Sequence, residues 1–85
     1  MATSLTIDDL GRILREAAGI GLAPDAADRP FEELGYDSLA LLEAGGRIER
    51  DLGLRLTEDE LADASTPAAL LDLVNRSLAA VPGTP

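Results

Sequence analysis

The chain has 85 residues, of which 16 are acidic and 7 are basic, and its net charge is -9 with a pI near 4.1. It contains no Cys, His or Lys, which excludes disulfides, Cys/His metal sites and a Ser–His–Asp triad, so we expect neither a metal site nor a catalytic residue. The acidic excess disfavours nucleic acids and anionic membranes as partners and favours basic protein surfaces.

The first predicted helix spans residues 7–18. Apolar residues recur there at helical spacing, with Asp and Arg side chains on the other face, and Thr6 is a suitable N-cap. The connection that follows, residues 20–36, is punctuated by proline and glycine and is long for an ordered loop. Within it, the spacing of Phe31 and Leu34 predicts a single helical turn that pins the loop to the core.

The second helix is predicted to begin at Asp37 or Ser38 and to end before Gly53. On a helical wheel, Leu39 falls well away from the core side of this helix, and Leu42 lies at the border. The predicted core side is the stripe formed by Leu41, Gly45, Ile48 and Leu52.

Two further helices complete the predicted fold. Thr57 and Glu60 form a capping box at the start of a short third helix, and Thr66 is the N-cap of the fourth. The fourth helix directs five apolar side chains inward, namely Leu70, Leu71, Val74, Leu78 and Val81. The sequence therefore predicts an all-α fold, a small four-helix bundle of three main helices and one short helix, with a long loop between helices 1 and 2.

The predicted domain organisation is a single unit over residues 1–85, in which residues 82–85 form a frayed tail. No apolar run approaches the roughly 20 residues that a membrane span requires. The start of the chain also lacks the basic and apolar segments of a signal peptide. We therefore expect a cytoplasmic monomer that binds neither nucleic acids nor membranes.

One short segment, GYDSL at residues 35–39, is the candidate functional site. A serine in the first turn of a helix lies beside unpaired N–H groups and the positive end of the helix dipole, which together can hold a phosphate on its oxygen. The alternative is that Asp37 or Ser38 simply caps the helix. A hydrolase nucleophile is excluded, because the chain has no His, Lys or Cys to act as its base. If Ser38 is functional, another enzyme modifies it.

The arrangement around this segment resembles the acyl carrier protein family. The matching features are a helix, a long loop, GYDSL at the start of the second helix, a short third helix and Thr-Pro at the start of the fourth. The longer run FEELGYDSLALLE, residues 31–43, is most similar to discrete carriers of bacterial type II (aromatic) polyketide synthases. The resemblance implies that a phosphopantetheinyl transferase attaches 4′-phosphopantetheine from coenzyme A to Ser38. The thiol of this arm would carry malonyl units and the growing polyketide as thioesters, so the chain needs no Cys of its own.

The resemblance also implies partner enzymes and a recognition surface. The implied enzymes are a ketosynthase with its chain-length factor, a malonyl transferase, and a ketoreductase, cyclase or aromatase. In the family the second helix is the recognition helix, so Asp37 would help to place the modified serine. The residues that would meet partners are Leu39, Leu42, Glu43 and, farther along that face, Arg47. The helical wheel independently points Leu39 away from the core, although a stray exposed leucine needs no functional explanation.

Gly45 and Gly46 depart from the family, in which bulkier side chains are usual at these positions. Each glycine in the middle of a helix costs roughly 1 kcal/mol relative to alanine. One explanation is sequence drift that tertiary packing tolerates. The other is that Gly45, together with Leu41 and Ile48, leaves room between the helices for a polyketide intermediate.

The acidic residues are distributed unevenly along the chain. From residue 36 to residue 53, two arginines offset four acidic residues and leave a net charge of only -2. Acidic side chains also crowd the loop before the second helix and the third helix, at Asp25, Asp28, Glu32, Glu33, Glu58, Asp59, Glu60 and Asp63. Any one of them is explained as solvated surface. Together they are expected to steer basic partner surfaces toward the arm.

Two alternative functions remain open at this point. Within the same class, the chain is a fatty-acid carrier. In a different class, it is a helical adaptor domain in which Ser38 is only a helix cap. Attachment of phosphopantetheine to Ser38 separates the carriers from the adaptor.

Overall fold

The structure, a computed structural model, describes residues 4–80. Over that range the chain forms four α-helices and one 3₁₀ turn, which are α1 (Ile7–Ala18), the 3₁₀ turn (Pro24–Ala26), α2 (Ser38–Leu52), α3 (Glu58–Asp63) and α4 (Pro67–Ala80). No strand occurs among these residues, and none of their helices is long and apolar enough to cross a membrane. The predicted all-α, four-helix fold is confirmed. The predicted inward side chain of Val81 and the frayed tail at 82–85 lie outside the described residues.

The helix ends follow from their capping residues. The Thr6 hydroxyl accepts a hydrogen bond from the Asp9 N–H at 3.1 Å, and an Asp9 carboxylate oxygen accepts one from the Thr6 N–H at 3.2 Å. The hydrogen bonds from the Thr6 backbone and side chain hold the pKa of the Asp9 carboxyl below its ordinary value. Thr57 and Glu60 form the predicted capping box of α3. Gly53 ends α2 in the left-handed conformation, with φ of 68°.

The core lies between α1, α2 and α4. The largest fully buried side chains are Leu10, Leu14, Ile48, Pro67, Leu70 and Val74. Leu41 and Leu52, which were predicted on the core side of α2, pack against this core but are only half-buried. Ala44 is fully buried, although the helical wheel did not place it in the stripe. None of the six residues of α3, all of which the structure describes, is buried.

The long loop is attached to the core at Phe31, as predicted. Its ring is 2% exposed, and its N–H donates a hydrogen bond to the Ser65 carbonyl at 2.9 Å. The Leu34 N–H donates to the Pro30 carbonyl at 3.2 Å, which closes the expected helical turn. The ring of Tyr36 meets Phe31 edge-on, with the ring centres 5.8 Å apart. The loop therefore reaches α2 with a fixed geometry.

Two further side chains fix the connections between elements. The amide of Asn75 on α4 accepts from the Leu5 N–H at 2.7 Å and donates to the Leu5 carbonyl at 3.1 Å. The Glu49 carboxylate on α2 accepts from the Leu56 N–H at 2.7 Å, and so holds the segment that leads into α3. Neither contact follows from sequence periodicity, because each partner lies outside the helix that carries the side chain.

Candidate functional site

Ser38 is the first residue of α2 and is exposed to solvent. Asp37, and not Ser38, caps the helix, since its carboxylate accepts from the Ala40 N–H at 2.8 Å. The carbonyl of Asp37 also accepts from the Leu41 N–H at 3.1 Å. The Ser38 hydroxyl forms no hydrogen bond with any residue that the structure describes. It is therefore available to another molecule.

The first turn of α2 has the properties of an anion site. Among residues 4–80, none accepts a hydrogen bond from the N–H groups of Ser38 and Leu39. The first turn itself contains no acidic residue, and the Asp37 carboxylate at the N-cap offsets only part of the positive end of the helix dipole. A phosphate linked to the Ser38 oxygen fits this environment, because exposed N–H donors and a positive dipole favour negative charge there.

Tyr36 anchors the backbone that leads into Ser38. Its side chain is 4% exposed, and its hydroxyl donates to the Ile20 carbonyl at 2.8 Å. Burial raises the pKa of the Tyr36 phenol, because the charged phenolate would lose its hydration. The preceding Gly35 has φ of 93°, a conformation that favours glycine. The sequence pattern assigned Tyr36 no role, although the presence of the chain's one tyrosine two residues before the serine was the available signal.

An apolar groove opens beside Ser38, between α2, α3 and the Phe31 turn. It encloses about 440 Å³, and its walls include Phe31, Tyr36, Ser38, Leu41, Leu61 and Ala62. A recess of about 230 Å³ adjoins it and shares Ser38, Leu41, Leu61 and Ala62 with the groove. Ser38 thus lies on the wall of an apolar groove to which Leu61, a half-buried residue of α3, also contributes.

The structure separates the three residues predicted to form an acyl-chain cavity. Leu41 lines the groove, whereas Ile48 is fully buried in the core. Gly45 lies directly beneath Leu61, and a Cβ added at Gly45 would come within 2.9 Å of the Leu61 Cδ1. The space beside Gly45 is therefore occupied by Leu61. At Gly46 a Cβ would meet nothing within 4 Å.

Four of the five predicted recognition residues are exposed. Leu39 and Leu42 are 75% and 43% exposed, and Asp37 and Glu43 are also on the surface. Arg47 is half-buried, and its guanidinium forms an ion pair with Glu16 of α1. The helical wheel placed Arg47 near Leu39, but its long side chain crosses to α1.

Comparisons with known proteins decide the family. A model described as the phosphopantetheine attachment site matches residues 8–74. The oxytetracycline polyketide synthase acyl carrier protein of Streptomyces rimosus is 51% identical over 80 residues, covering 89% of this chain and 84% of that protein. The actinorhodin polyketide synthase acyl carrier protein of Streptomyces coelicolor is 47% identical over 83 residues, covering 93% and 96%. The chain belongs to the polyketide synthase acyl carrier proteins.

Solved structures agree with this assignment of the carrier protein. The solution structure of the actinorhodin carrier of Streptomyces coelicolor in its 3,5-dioxohexyl form, a triketide mimic, has a TM-score of 0.86 at 45% identity. The match covers 96% of this chain and 100% of that chain. The solution structure of the oxytetracycline acyl carrier protein has a TM-score of 0.84 at 48% identity, covering 96% and 90%. These matches span nearly whole proteins, so the relatives are discrete carriers of the type II systems.

Family membership settles the broad function. The chain is a carrier and not a catalyst, it bears acyl intermediates on covalently attached 4′-phosphopantetheine, and it works with synthase enzymes. The match favours the polyketide carrier over the fatty-acid carrier and over the unmodified adaptor. The first turn of α2 fits the prosthetic group, since it combines an exposed hydroxyl with N–H donors that lack partners among the described residues.

Proposed function

We propose that Ser38 is the residue to which 4′-phosphopantetheine is attached. One observation carries this assignment: Ser38 is exposed at the start of α2 while Asp37 performs the capping. A serine that served only as a cap would direct its own oxygen to the N–H groups of the first turn. Here that role is filled, and the Ser38 hydroxyl is free to become a phosphodiester.

The chain's own part in the attachment is to present and hold the serine. None of the described carboxylates accepts a hydrogen bond from the Ser38 hydroxyl, so the phosphopantetheinyl transferase must accept the Ser38 proton. The Ser38 oxygen attacks the phosphorus next to the pantetheine of coenzyme A, and the broken pyrophosphate bond releases adenosine 3′,5′-bisphosphate. Tyr36 and Asp37 fix the backbone on either side of the reacting oxygen. The N–H groups of Ser38 and Leu39 would then face the attached phosphate. When bound, the group supplies a thiol that holds acyl chains as thioesters.

The cargo of this arm is proposed to be malonyl units and the growing polyketide. The groove beside Ser38 provides apolar surface from Leu41 and Leu61. Leu61 belongs to α3, the helix without a buried residue among those described, so its displacement costs little core packing. Movement of Leu61 would open the space above Gly45, which reaches toward the buried Ile48 one turn farther along α2. These residues remain our candidates for an acyl-chain cavity.

The exposed face of α2 is the proposed recognition surface. Asp37, Leu39, Leu42 and Glu43 are accessible to partner enzymes, and Arg47 contributes by pairing with Glu16, which fixes α1 beside that face. The proposed partners are the phosphopantetheinyl transferase, a malonyl transferase, a ketosynthase with its chain-length factor, and a ketoreductase, cyclase or aromatase. We place the carrier, as a monomeric single domain over residues 1–85, in the cytoplasm with coenzyme A.

Intact-mass measurement tests the attachment site. The purified chain is incubated with coenzyme A and a promiscuous phosphopantetheinyl transferase, and so are the Ser38→Ala and Ser65→Ala variants. The wild type and the Ser65→Ala control, which alters another exposed serine, should each gain one phosphopantetheine, and Ser38→Ala should gain none. A gain by Ser38→Ala, or none by the wild type, would overturn the assignment.

A further inference from the structure

A separate recess lies on the side of α2 that faces α1. It encloses about 250 Å³, and its lining includes Ala17, Ala18, Ile20, Asp37, Leu39 and Glu43. We call it the α1–α2 recess. It shares no apolar wall with the groove that adjoins α3, so the proposed acyl cargo does not account for it.

We propose that the α1–α2 recess receives an apolar side chain, flanked by arginine or lysine, from the enzyme that modifies Ser38. The proposal deepens the function assigned above and rests on modification of Ser38. It adds Ile20 and the end of α1 to a recognition surface that was otherwise confined to α2.

The first observation that supports this proposal is the apolar character of the recess. Ile20 and Leu39 are two of the three large apolar side chains that are exposed in the described part of the chain, at 37% and 75%. Both line the recess, and Ala17 and Ala18 add further apolar surface to its lining. Exposed branched side chains around a concavity are typical of sites that take an anchor residue from a partner.

The acidic residues of the recess indicate a partner with basic groups. Asp37 and Glu43 line it, and neither forms an ion pair with a residue that the structure describes. The nearby Glu16 is already paired with Arg47. Two copies of a chain with a net charge of -9 repel each other, which argues against self-association here. A partner with basic groups around its apolar anchor gains attraction as well as burial.

The position of the recess selects the enzyme that acts on Ser38 itself. Asp37 lines the recess and directly precedes the serine, so the acidic edge of the recess lies one residue along the chain from the serine that the enzyme must reach. Enzymes that act at the far end of the arm have no such constraint. The backbone that carries Ile20 is held in place, because the Ile20 carbonyl accepts from the Tyr36 hydroxyl at 2.8 Å. A wall that is fixed before binding reduces the entropic cost of association.

Steady-state kinetics of phosphopantetheine transfer test the recess. Ile20→Ser removes an anchor contact made before chemistry, so the KM for the carrier should rise about tenfold while kcat is unchanged. Ile7→Ser is the matched control, since Ile7 is a half-buried isoleucine at the other end of α1, and its KM should stay within about twofold of the wild-type value. Thermal unfolding of both variants confirms that the comparison concerns folded protein.

A second variant carries the test if Ile20→Ser does not fold. Ala18→Gln places a longer side chain in the recess without removing an apolar wall, and should raise KM in the same direction. Ala79→Gln on the exposed face of α4 is its control. An unchanged KM in a folded recess variant overturns the inference even if Ser38 is modified. Failure of the wild type to accept phosphopantetheine would instead overturn the assignment of Ser38.

Discussion

The two sides of α2 are built differently. Toward α1, three residues of α1 are buried in the core, and Arg47 pairs with Glu16 across the interface. Toward α3, the six-residue helix buries none of its own described side chains, and Leu61 lies over Gly45 of α2. One side of the helix that carries Ser38 is therefore fixed, whereas the other is adaptable. A carrier needs both, because partners require a constant surface while cargo varies.

The largest expected effect is a difference in stability between two single variants, each of which truncates a leucine on one side of α2. Leu10→Ala removes a side chain that is 0% exposed, and should lower the free energy of unfolding by about 3 kcal/mol. Leu61→Ala removes a half-buried side chain from α3, and should cost about 1 kcal/mol or less. Urea unfolding in sodium sulfate, which strengthens burial, keeps both variants measurable. Equal losses would show that α3 is anchored as firmly as α1.

A smaller effect is expected at the connection that joins α1 to the serine. Tyr36→Phe leaves the Ile20 carbonyl without its donor, and should lower the free energy of unfolding by about 1 kcal/mol. Since burial raises the pKa of Tyr36, the folded state favours the neutral phenol. The contribution is fully present below the ordinary tyrosine pKa of about 10, and is lost as the pH rises through the higher value in the folded protein.

Measurements at alkaline pH report on the Tyr36 phenol without interference from other side chains. The chain has one Tyr, no Cys and no Lys, so Tyr36 is the only side chain that titrates near pH 10. The difference in unfolding free energy between the wild type and Tyr36→Phe should therefore shrink above about pH 10. A difference that stays constant up to pH 11 would contradict a buried phenol. Urea unfolding at several pH values measures it.

The sequence predicted the helices but missed contacts between residues that are distant along the chain. Caps and periodicity are local, so the bounds of α2 and the exposure of Leu39 followed from residues within a few positions of each other. The hydrogen bond from Tyr36 to Ile20 joins two points of the chain that no spacing rule connects. Arg47 was placed by the direction of its Cβ, but its guanidinium reaches another helix. A wheel also leaves open whether the space at Gly45 is empty or filled.

The two adjacent glycines of α2 offer the finest test of the adaptable side. Gly46→Ala adds a methyl group into open space, and should raise the free energy of unfolding by roughly 0.5–1 kcal/mol through helix propensity. Gly45→Ala gains the same propensity, but its Cβ would lie 2.9 Å from the Leu61 Cδ1, so Leu61 must shift. The gain at Gly45 should therefore be smaller than the gain at Gly46, by urea unfolding.

Replacing each of these two glycines by leucine tests where the attached acyl chain lies. With a cyclised chain on the arm, NMR shift changes in core residues should be reduced in Gly45→Leu relative to the wild type, because the added side chain fills the space that Leu61 would vacate. Gly46→Leu is the matched control and should keep the wild-type pattern. Unchanged shifts in Gly45→Leu would mean that the cargo stays in the outer groove along Leu41. The adaptability of α3 would then serve the surface of the carrier and not its interior.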